Sequence, residues 1–261
     1  MTDRAPLSCY IRTLNEARMI APVVRAALAA ADEVVVVDSG STDGTQSLAA
    51  EAGARVIHQP WLGNGGQKRA GEEAARHDWL LDLDADEVLT PELAAEIRAL
   101  FAGGEPSAPA FRLKLLTQPA YGPLWAGFNH VWRAKLYDRR RLRMPDDRAW
   151  DQLRLEGLAG VGRLEAAIIH HPFRDVEHKM VKLNRVSGVR ARETRLRSRR
   201  SILLRVFFAF PFYVFKHYAL RGLWRGGAYG FVMAMTAAMG RWLRDAKMLE
   251  RSYDAERESK R

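Results

Sequence analysis

Four carboxylates fall within six positions: Asp82, Asp84, Asp86 and Glu87, in the stretch Leu80-Leu81-Asp82-Leu83-Asp84-Ala85-Asp86-Glu87. Trp79 to Leu83 has the apolar character of a buried strand, and Thr90-Pro91 restarts the chain as a helix. The acidic groups therefore stand at the C-terminal end of a strand, where an open α/β sheet binds its ligands. Asp84 and Asp86 are two apart, so on extended backbone both point to one side. Two carboxylates converging there repel unless a cation lies between them. Oxygen ligands of this kind suit Mg²⁺ or Mn²⁺, and Mg²⁺ takes its remaining ligands from water and a substrate diphosphate. The plainer alternative is a solvated acidic loop that caps the next helix.

Other strand ends are acidic as well. Glu16 follows the first expected strand and Asp38 the second. A carboxylate accepts hydrogen bonds from ribose hydroxyls or a base N–H. No Gly-x-Gly-x-x-Gly follows the first strand and no Gly-Lys-Ser/Thr is present, which disfavours dinucleotide and P-loop chemistry. The combination suits a nucleoside diphosphate bound through its metal. Lys68, at the start of the glycine-rich helix, adds a cation for the diphosphate, and that helix N-terminus adds its dipole. Asp43 reads as a turn or capping residue, and Asp38, in the plainer reading, simply ends its strand.

The elements that must position these groups are legible from apolar pattern. Strands are expected at Leu7 to Thr13, Glu33 to Asp38, Arg55 to His58 and Trp79 to Leu83, and helices at Asn15 to Ala31, Thr45 to Ala52, Gly63 to Ala75 and Pro91 to Phe101. Val34-Val35-Val36-Val37 is the uninterrupted run of a strand buried on both faces. The alternation predicts an α/β fold, a mostly parallel sheet with helices on both faces. Ala110 to Thr117, Val131 to Tyr137 and Ala167 to His170 read as further strands, with a loop from Pro119 to Asn129.

Composition sets the outer bounds. The chain has 261 residues and one cysteine, Cys9, which excludes an internal disulfide and points to a reducing compartment. The N-terminal residues show no signal-peptide layout. Charge is unevenly placed: residues 174–261 carry 21 Lys and Arg against 8 Asp and Glu, net +13, while residues 1–173 carry net −3. The division expected is a catalytic domain over 1–174 and a basic, amphipathic helical region over 175–261 that meets an anionic surface. Six arginines crowd between Arg190 and Arg200, and Ile202 to Tyr218 follows, rich in phenylalanine. With Arg205, Lys216 and Pro211 inside it, that run reads as too short and too charged to span a bilayer, which needs about 20 apolar residues. It and Tyr229 to Met239 read as interfacial helices, or in the plainer reading as a helical pair with a solvated basic face.

Val36-Val37-Asp38-Ser39-Gly40-Ser41-Thr42-Asp43-Gly44-Thr45, followed some forty residues on by Leu83-Asp84-Ala85-Asp86-Glu87, resembles the inverting family 2 glycosyltransferases of GT-A, Rossmann-like fold. Thr13-Leu14-Asn15-Glu16 is similar to their first-strand motif. Gln67-Lys68-Arg69, the His170-His171 region and the basic tail resemble the branch that adds β-linked glucose to the inner core of lipopolysaccharide. The resemblance implies substrate contacts from Thr13, Glu16 and Asp38 and a metal and diphosphate site at Asp84 and Asp86, with His170 or His171 as a third metal ligand. It also implies one general base for the acceptor hydroxyl. Where that branch has a His-Glu pair this chain reads Trp150-Asp151, so Asp151 takes the role, with Glu156 as fallback.

The implied protein is a metal-dependent transferase that moves a sugar, glucose, from a UDP-sugar to a lipid-anchored glycan. It would work as a peripheral protein on the cytoplasmic face of the inner membrane. Two alternatives stand beside it: transfer to a polyprenyl phosphate in the same fold, and a non-catalytic basic protein that binds nucleic acid or anionic membrane. The last leaves the acidic strand ends unexplained, and with no nucleic-acid motif present no nucleic-acid partner is expected.

Overall fold

A computed structural model describes residues 4–119, 122, 124 and 130–259 of the chain. Contacts divide it into two units, Met1–Gln118 with Asn129–Pro172, and Pro119–Phe128 with Phe173–Arg261. The expected loop from Pro119 to Asn129 lies mostly outside the described residues.

The first unit is built on an eight-stranded mixed sheet of order β3-β2-β1-β4-β7-β6-β8-β5. β1 (Leu7–Thr13) runs parallel between β2 (Glu33–Asp38) and β4 (Trp79–Asp84), and β3 (Arg55–His58) extends the parallel half beyond β2. β7 (His130–Asp138) joins β4 antiparallel, and β6 (Ala110–Thr117), β8 (Gly162–His170) and β5 (Glu87–Leu89) complete the sheet. The parallel register sets Thr13 beside Asp38 and Arg12 beside Asp84, so the C-terminal ends of β1, β2 and β4 share one sheet edge.

Strand alternation assigns the two faces. Leu7, Cys9 and Ile11 of β1 and Trp79, Leu81 and Leu83 of β4 pack in one apolar cluster with α1 (Ile20–Leu28) and α4 (Pro91–Phe101). Tyr10, Val35, Val37, Leu80 and Tyr137 form a second cluster on the opposite face, which α3 (Asn64–Ala74) covers. Arg12, Asp82, Asp84 and Lys135 have the parity of that second face. α2 (Thr45–Glu51) closes the β2–β3 crossover, and α4 begins with Pro91 at its first position and the Thr90 side chain accepting from Leu93 N.

Two local expectations are corrected. α1 starts at Ile20, not Asn15, because Asn15 turns the chain with φ 55° and the 16–19 segment is a turn. The end of the acidic segment is not loop: Glu87–Leu89 is a strand, β5, paired antiparallel with β8, which itself begins at Gly162.

The second unit is helical: α5 (Val176–Glu193), α6 (Arg199–Phe215) and α7 (Gly227–Ser259). Inside it the buried Asp245 carboxylate pairs with Arg205 and Arg244 at 2.9 and 2.8 Å. Pro211 does not end α6, and a π-helical turn, Lys216–Leu220, carries the helix on. Among the described residues Arg199–Leu220, a 22-residue helix containing an 18-residue stretch of mean hydropathy 1.2, is by length and composition alone sufficient to cross a membrane. The expectation that this run is too short is thereby corrected. Tyr229 to Met239 likewise belongs to the much longer α7.

Candidate active site

Three buried or half-buried cations meet the acidic end of β4. Arg12 Nε donates to Asp84 Oδ1 at 2.6 Å. Lys68 Nζ reaches Asp82 Oδ2 at 2.8 Å and Asp84 at 3.5 Å. Lys135 Nζ donates to Glu87 Oε2 at 2.7 Å and lies 3.6 and 3.9 Å from Asp82 and Asp84. The meeting follows from side-chain parity on β1, β4 and β7, with α3 laid across that face. Charges removed from water are tolerated only when paired in this way. Burial alone would raise the Asp84 carboxyl, but Lys68, Lys135 and Arg12 hold it well below the usual carboxylate range. Burial pushes Glu87 up in spite of Lys135. Burial opposes the Lys135 charge, yet Asp82, Glu87 and Asp84 leave its ammonium more firmly protonated than usual.

Asp84 and Asp86 do not face one another as the extended-backbone expectation required. Ala85 and Asp86 form a turn between β4 and β5, which breaks the period-two relation. Asp84 turns to the cations. Asp86 turns to β8, where its Oδ2 lies 3.4 Å from His170 Nε2 and its carbonyl accepts from His171 N at 2.8 Å. Burial lowers the His170 pKa, but Asp86 outweighs it, so the imidazole holds its proton more tightly than an ordinary histidine. Burial and Arg18 shift His171 the other way. The Asp86 and His170 side chains are 19% and 29% exposed, so this pair opens to solvent, as the 25% exposed Asp84 side chain also does, while Asp82 and Glu87 do not. Among the described residues no cluster of three or more His, Cys, Asp or Glu is arranged as a metal cage. Asp86 offers an oxygen, and His170 a nitrogen once its proton is displaced, to a divalent cation that takes its other ligands from water and a diphosphate.

The nucleoside candidates lie at the ends of β1 and β2. The Thr13 and Ser39 hydroxyls are buried and have no hydrogen-bond partner among the described residues. Asp38 is fully buried and its carboxylate is spent on its own loop, accepting from Gly40 N at 2.9 Å, Ser41 N at 2.8 Å, Gln46 Nε2 at 2.6 Å and the Ser41 hydroxyl. Burial would raise its pKa, and these donors pull it below the ordinary value. Glu16 sits in the turn after β1, its backbone N–H donating to Thr45 Oγ1 at 2.9 Å. Asp43, just before the Gly44 N-cap of α2, accepts from Thr45 N and from Ala17 N, as a turn residue should.

The glycine-rich start of α3 does not present its N–H groups to an open site. Asn64 N and Gly65 N donate to the carbonyls of Arg148 and Asp147 at 2.9 and 2.8 Å. A Cβ on Gly65 would collide with the carbonyl oxygens of Pro145 and Trp150, and one on Gly63, at φ 102°, with the Arg148 backbone. The glycines form a socket for the 145–151 loop. Lys68, expected on a diphosphate, is only 3% exposed and serves the buried carboxylates instead.

That loop delivers Asp151. Arg12 Nη2 donates to Asp151 Oδ2 at 2.8 Å, and Arg12 Nη1 to the backbone and side-chain oxygens of Asn64 at 3.3 and 3.2 Å. One guanidinium therefore links Asp84 to Asp151. Glu156 lies exposed, and no hydrogen bond or ion pair among the described residues ties it to this cluster. Sequence reasoning missed Arg12 and Lys135 and gave Asp82 no role of its own; the signal was a charged residue at alternate positions of strands otherwise apolar.

The family described as glycosyl transferase family 2 matches residues 8–148. An uncharacterised glycosyltransferase of Rickettsia bellii (strain RML369-C) is 32% identical over 260 residues, covering 94% of this chain and 87% of that one. The lipopolysaccharide core biosynthesis glycosyltransferase LpsC of Rhizobium meliloti (strain 1021) is 29% identical over 265 residues, covering 96% and 94%. Glucosyl-3-phosphoglycerate synthase from Mycobacterium tuberculosis, solved with Mn²⁺, UDP and glucosyl-3-phosphoglycerate, is 24% identical over 44% of each chain with TM-score 0.37, a likeness too slight to reason from.

Proposed function

The chain belongs to glycosyl transferase family 2, and from that premise we propose that it is a metal-dependent inverting enzyme that moves glucose from a UDP-sugar to a lipid-anchored glycan of the lipopolysaccharide-core kind. The observation that carries the reading is the single sheet edge at which Asp86 and His170 open to solvent while Arg12 ties Asp84 to Asp151. Similarity to the Rhizobium LpsC protein over nearly the full length of both chains supports the acceptor class.

Each residue then has a chemical task. Asp86 and His170 would hold Mg²⁺ or Mn²⁺, which when bound neutralises the diphosphate leaving group. Thr13 offers an unpaired hydroxyl to the nucleoside, with Glu16 beside it, and Asp38 keeps the receiving loop in shape. Asp84, clamped by three cations, orients the donor's sugar side. Asp151 takes the proton of the acceptor hydroxyl through Oδ1, since Arg12 occupies Oδ2. The acceptor oxygen bonds to the anomeric carbon as the bond to UDP breaks; UDP leaves with the electron pair and the configuration inverts.

The assignment of chemistry to residues 1–174 leaves residues 175–261 to meet the membrane. Phe207, Phe208, Phe212 and Phe215 are 70%, 67%, 56% and 58% exposed on α6, next to the arginine tract. That pairing supports a peripheral protein on the cytoplasmic face of the inner membrane. The spanning length of Arg199–Leu220 is the one observation that favours a second reading, transfer to a polyprenyl phosphate.

The test is a panel of UDP-sugars with truncated lipopolysaccharide or polyprenyl phosphate as acceptor, read by mass spectrometry and by the anomeric coupling constant of the product. Inverted transfer to the core acceptor, abolished by EDTA and restored by Mn²⁺ or Mg²⁺, is expected. Retained configuration, EDTA resistance or transfer to polyprenyl phosphate alone would overturn it.

A further inference from the structure

The helical unit contains a cavity of about 240 Å³ walled by α5, α7 and the π-helical turn. Arg190, Arg241, Arg244 and His217 line it, with Leu183 and Val186 on the apolar side. Among the described residues no carboxylate lines the cavity. The nearby Asp245 is already shared by Arg244 and Arg205, and among the described residues no carboxylate pairs with Arg190 or Arg241. The Arg241 guanidinium sits over the Tyr213 ring at 4.6 Å, which directs it without neutralising it. His217, 9% exposed, is brought to this wall by the π turn, a helical irregularity frequent at functional sites. Burial, with Arg221, Arg241 and Lys216 nearby, holds its imidazole below the ordinary histidine pKa, as a positive interior field requires.

Cations gathered around one half-open pocket repel one another, and its apolar side strengthens the repulsion. An anion in the cavity reverses the sign of that energy. Guanidinium groups with their forked donors match phosphate oxygens, and the two aliphatic side chains match the carbon part of an ester. We propose that this cavity is a second binding site, distinct from the sheet edge, that takes a phosphate-bearing group held by Arg190, Arg241 and His217. The site stands whether or not the donor and acceptor assigned above are correct.

The full-length protein would be titrated with inorganic phosphate by calorimetry in chloride buffer of matched ionic strength, alongside R190Q, R241Q and R225Q. Arg225 belongs to the same unit but lies outside the cavity. Saturable binding is expected, weakened about tenfold by R190Q or R241Q, the loss of one charge-assisted hydrogen bond, and unchanged by R225Q. In the absence of phosphate R190Q should melt no lower than the wild type, because one of the crowded cations has been removed. No heat above the chloride baseline, or an equal loss in R225Q, would overturn the proposal. Vesicles of phosphatidylcholine with phosphatidic acid or with phosphatidylserine, at equal surface charge, then assign the source. Preference for phosphatidic acid that R241Q removes makes the ligand a lipid headgroup; phosphate binding without that preference makes it a soluble phosphate ester.

Discussion

At the scale of single residues, the open pair and the clamped pair predict different losses. Asp86→Ala should abolish transfer and leave the fold intact, since its side chain is partly exposed and among the described residues pairs with His170 alone; a UDP-release assay and circular dichroism check the two halves. Asp151→Asn should reduce turnover by roughly the 10²–10⁴-fold typical of a lost general base, with UDP-sugar affinity kept. If Glu156→Gln shows that loss instead, the base is Glu156. Asp38 makes a pH prediction. Its carboxyl is held below the ordinary value in the folded state, so its stabilisation is complete above that ordinary value, about 3.9. It fades as pH falls further, through the folded-state value. Asp38→Asn should therefore cost about 1–3 kcal/mol at pH 7 and progressively less in acid, measured by urea unfolding at several pH values. Residue types and spacing identified Asp86 as a candidate, and the family resemblance identified Asp151. They did not reveal that Asp84 spends its charge on Arg12, Lys68 and Lys135, because that depends on partners 72, 16 and 51 positions away, set by the packing of β1, α3 and β7.

At the scale of elements, the glycine-rich turn makes the sharpest prediction. Gly65→Ala places a methyl group against two carbonyl oxygens of the 145–151 loop, so the loop must shift and Asp151 with it. Turnover should fall more than tenfold and stability by about 1–3 kcal/mol, the usual cost of overpacking. Unchanged kcat in a folded Gly65→Ala protein would mean that the socket does not position the base. From sequence the helix these glycines open offers its N-terminal dipole and Lys68 to a diphosphate, because composition shows which backbone is free to approach something and not what approaches it. The parallel strands were legible for the opposite reason: Val34 to Val37 and Leu80 to Leu83 carry their burial in their own side chains. β5 was not. It has three residues, and its partner β8 lies some eighty positions on, so the pairing that brings Asp86 to His170 has no local signature.

At the scale of the whole molecule, the expected family is the one found, and a purely structural basic protein no longer competes. The charge division between residues 1–173 and 174–261 is expected to express itself at a membrane. Vesicle binding should rise with anionic lipid and fall with salt, because the arginine contribution is screened over about 8 Å at physiological ionic strength. Phe208→Ser with Phe212→Ser should weaken binding at every salt concentration, since it removes apolar burial rather than charge. Co-sedimentation at two ionic strengths separates the two contributions, and salt-independent binding by the wild type would rule out the electrostatic one. The buried ion cluster under the sheet edge has a further consequence, and it concerns descent. Asp82, Lys68 and Lys135 are each nearly inaccessible to water, and each is neutralised by a group from another element. Changing one alone strands a charge in the interior, whereas exchanging a pair for apolar residues of equal volume is tolerated. Lineages that diverged from this one should therefore alter these positions in concert, and an alignment of them should display linked substitutions at 68, 82 and 135 where independent drift is otherwise the rule.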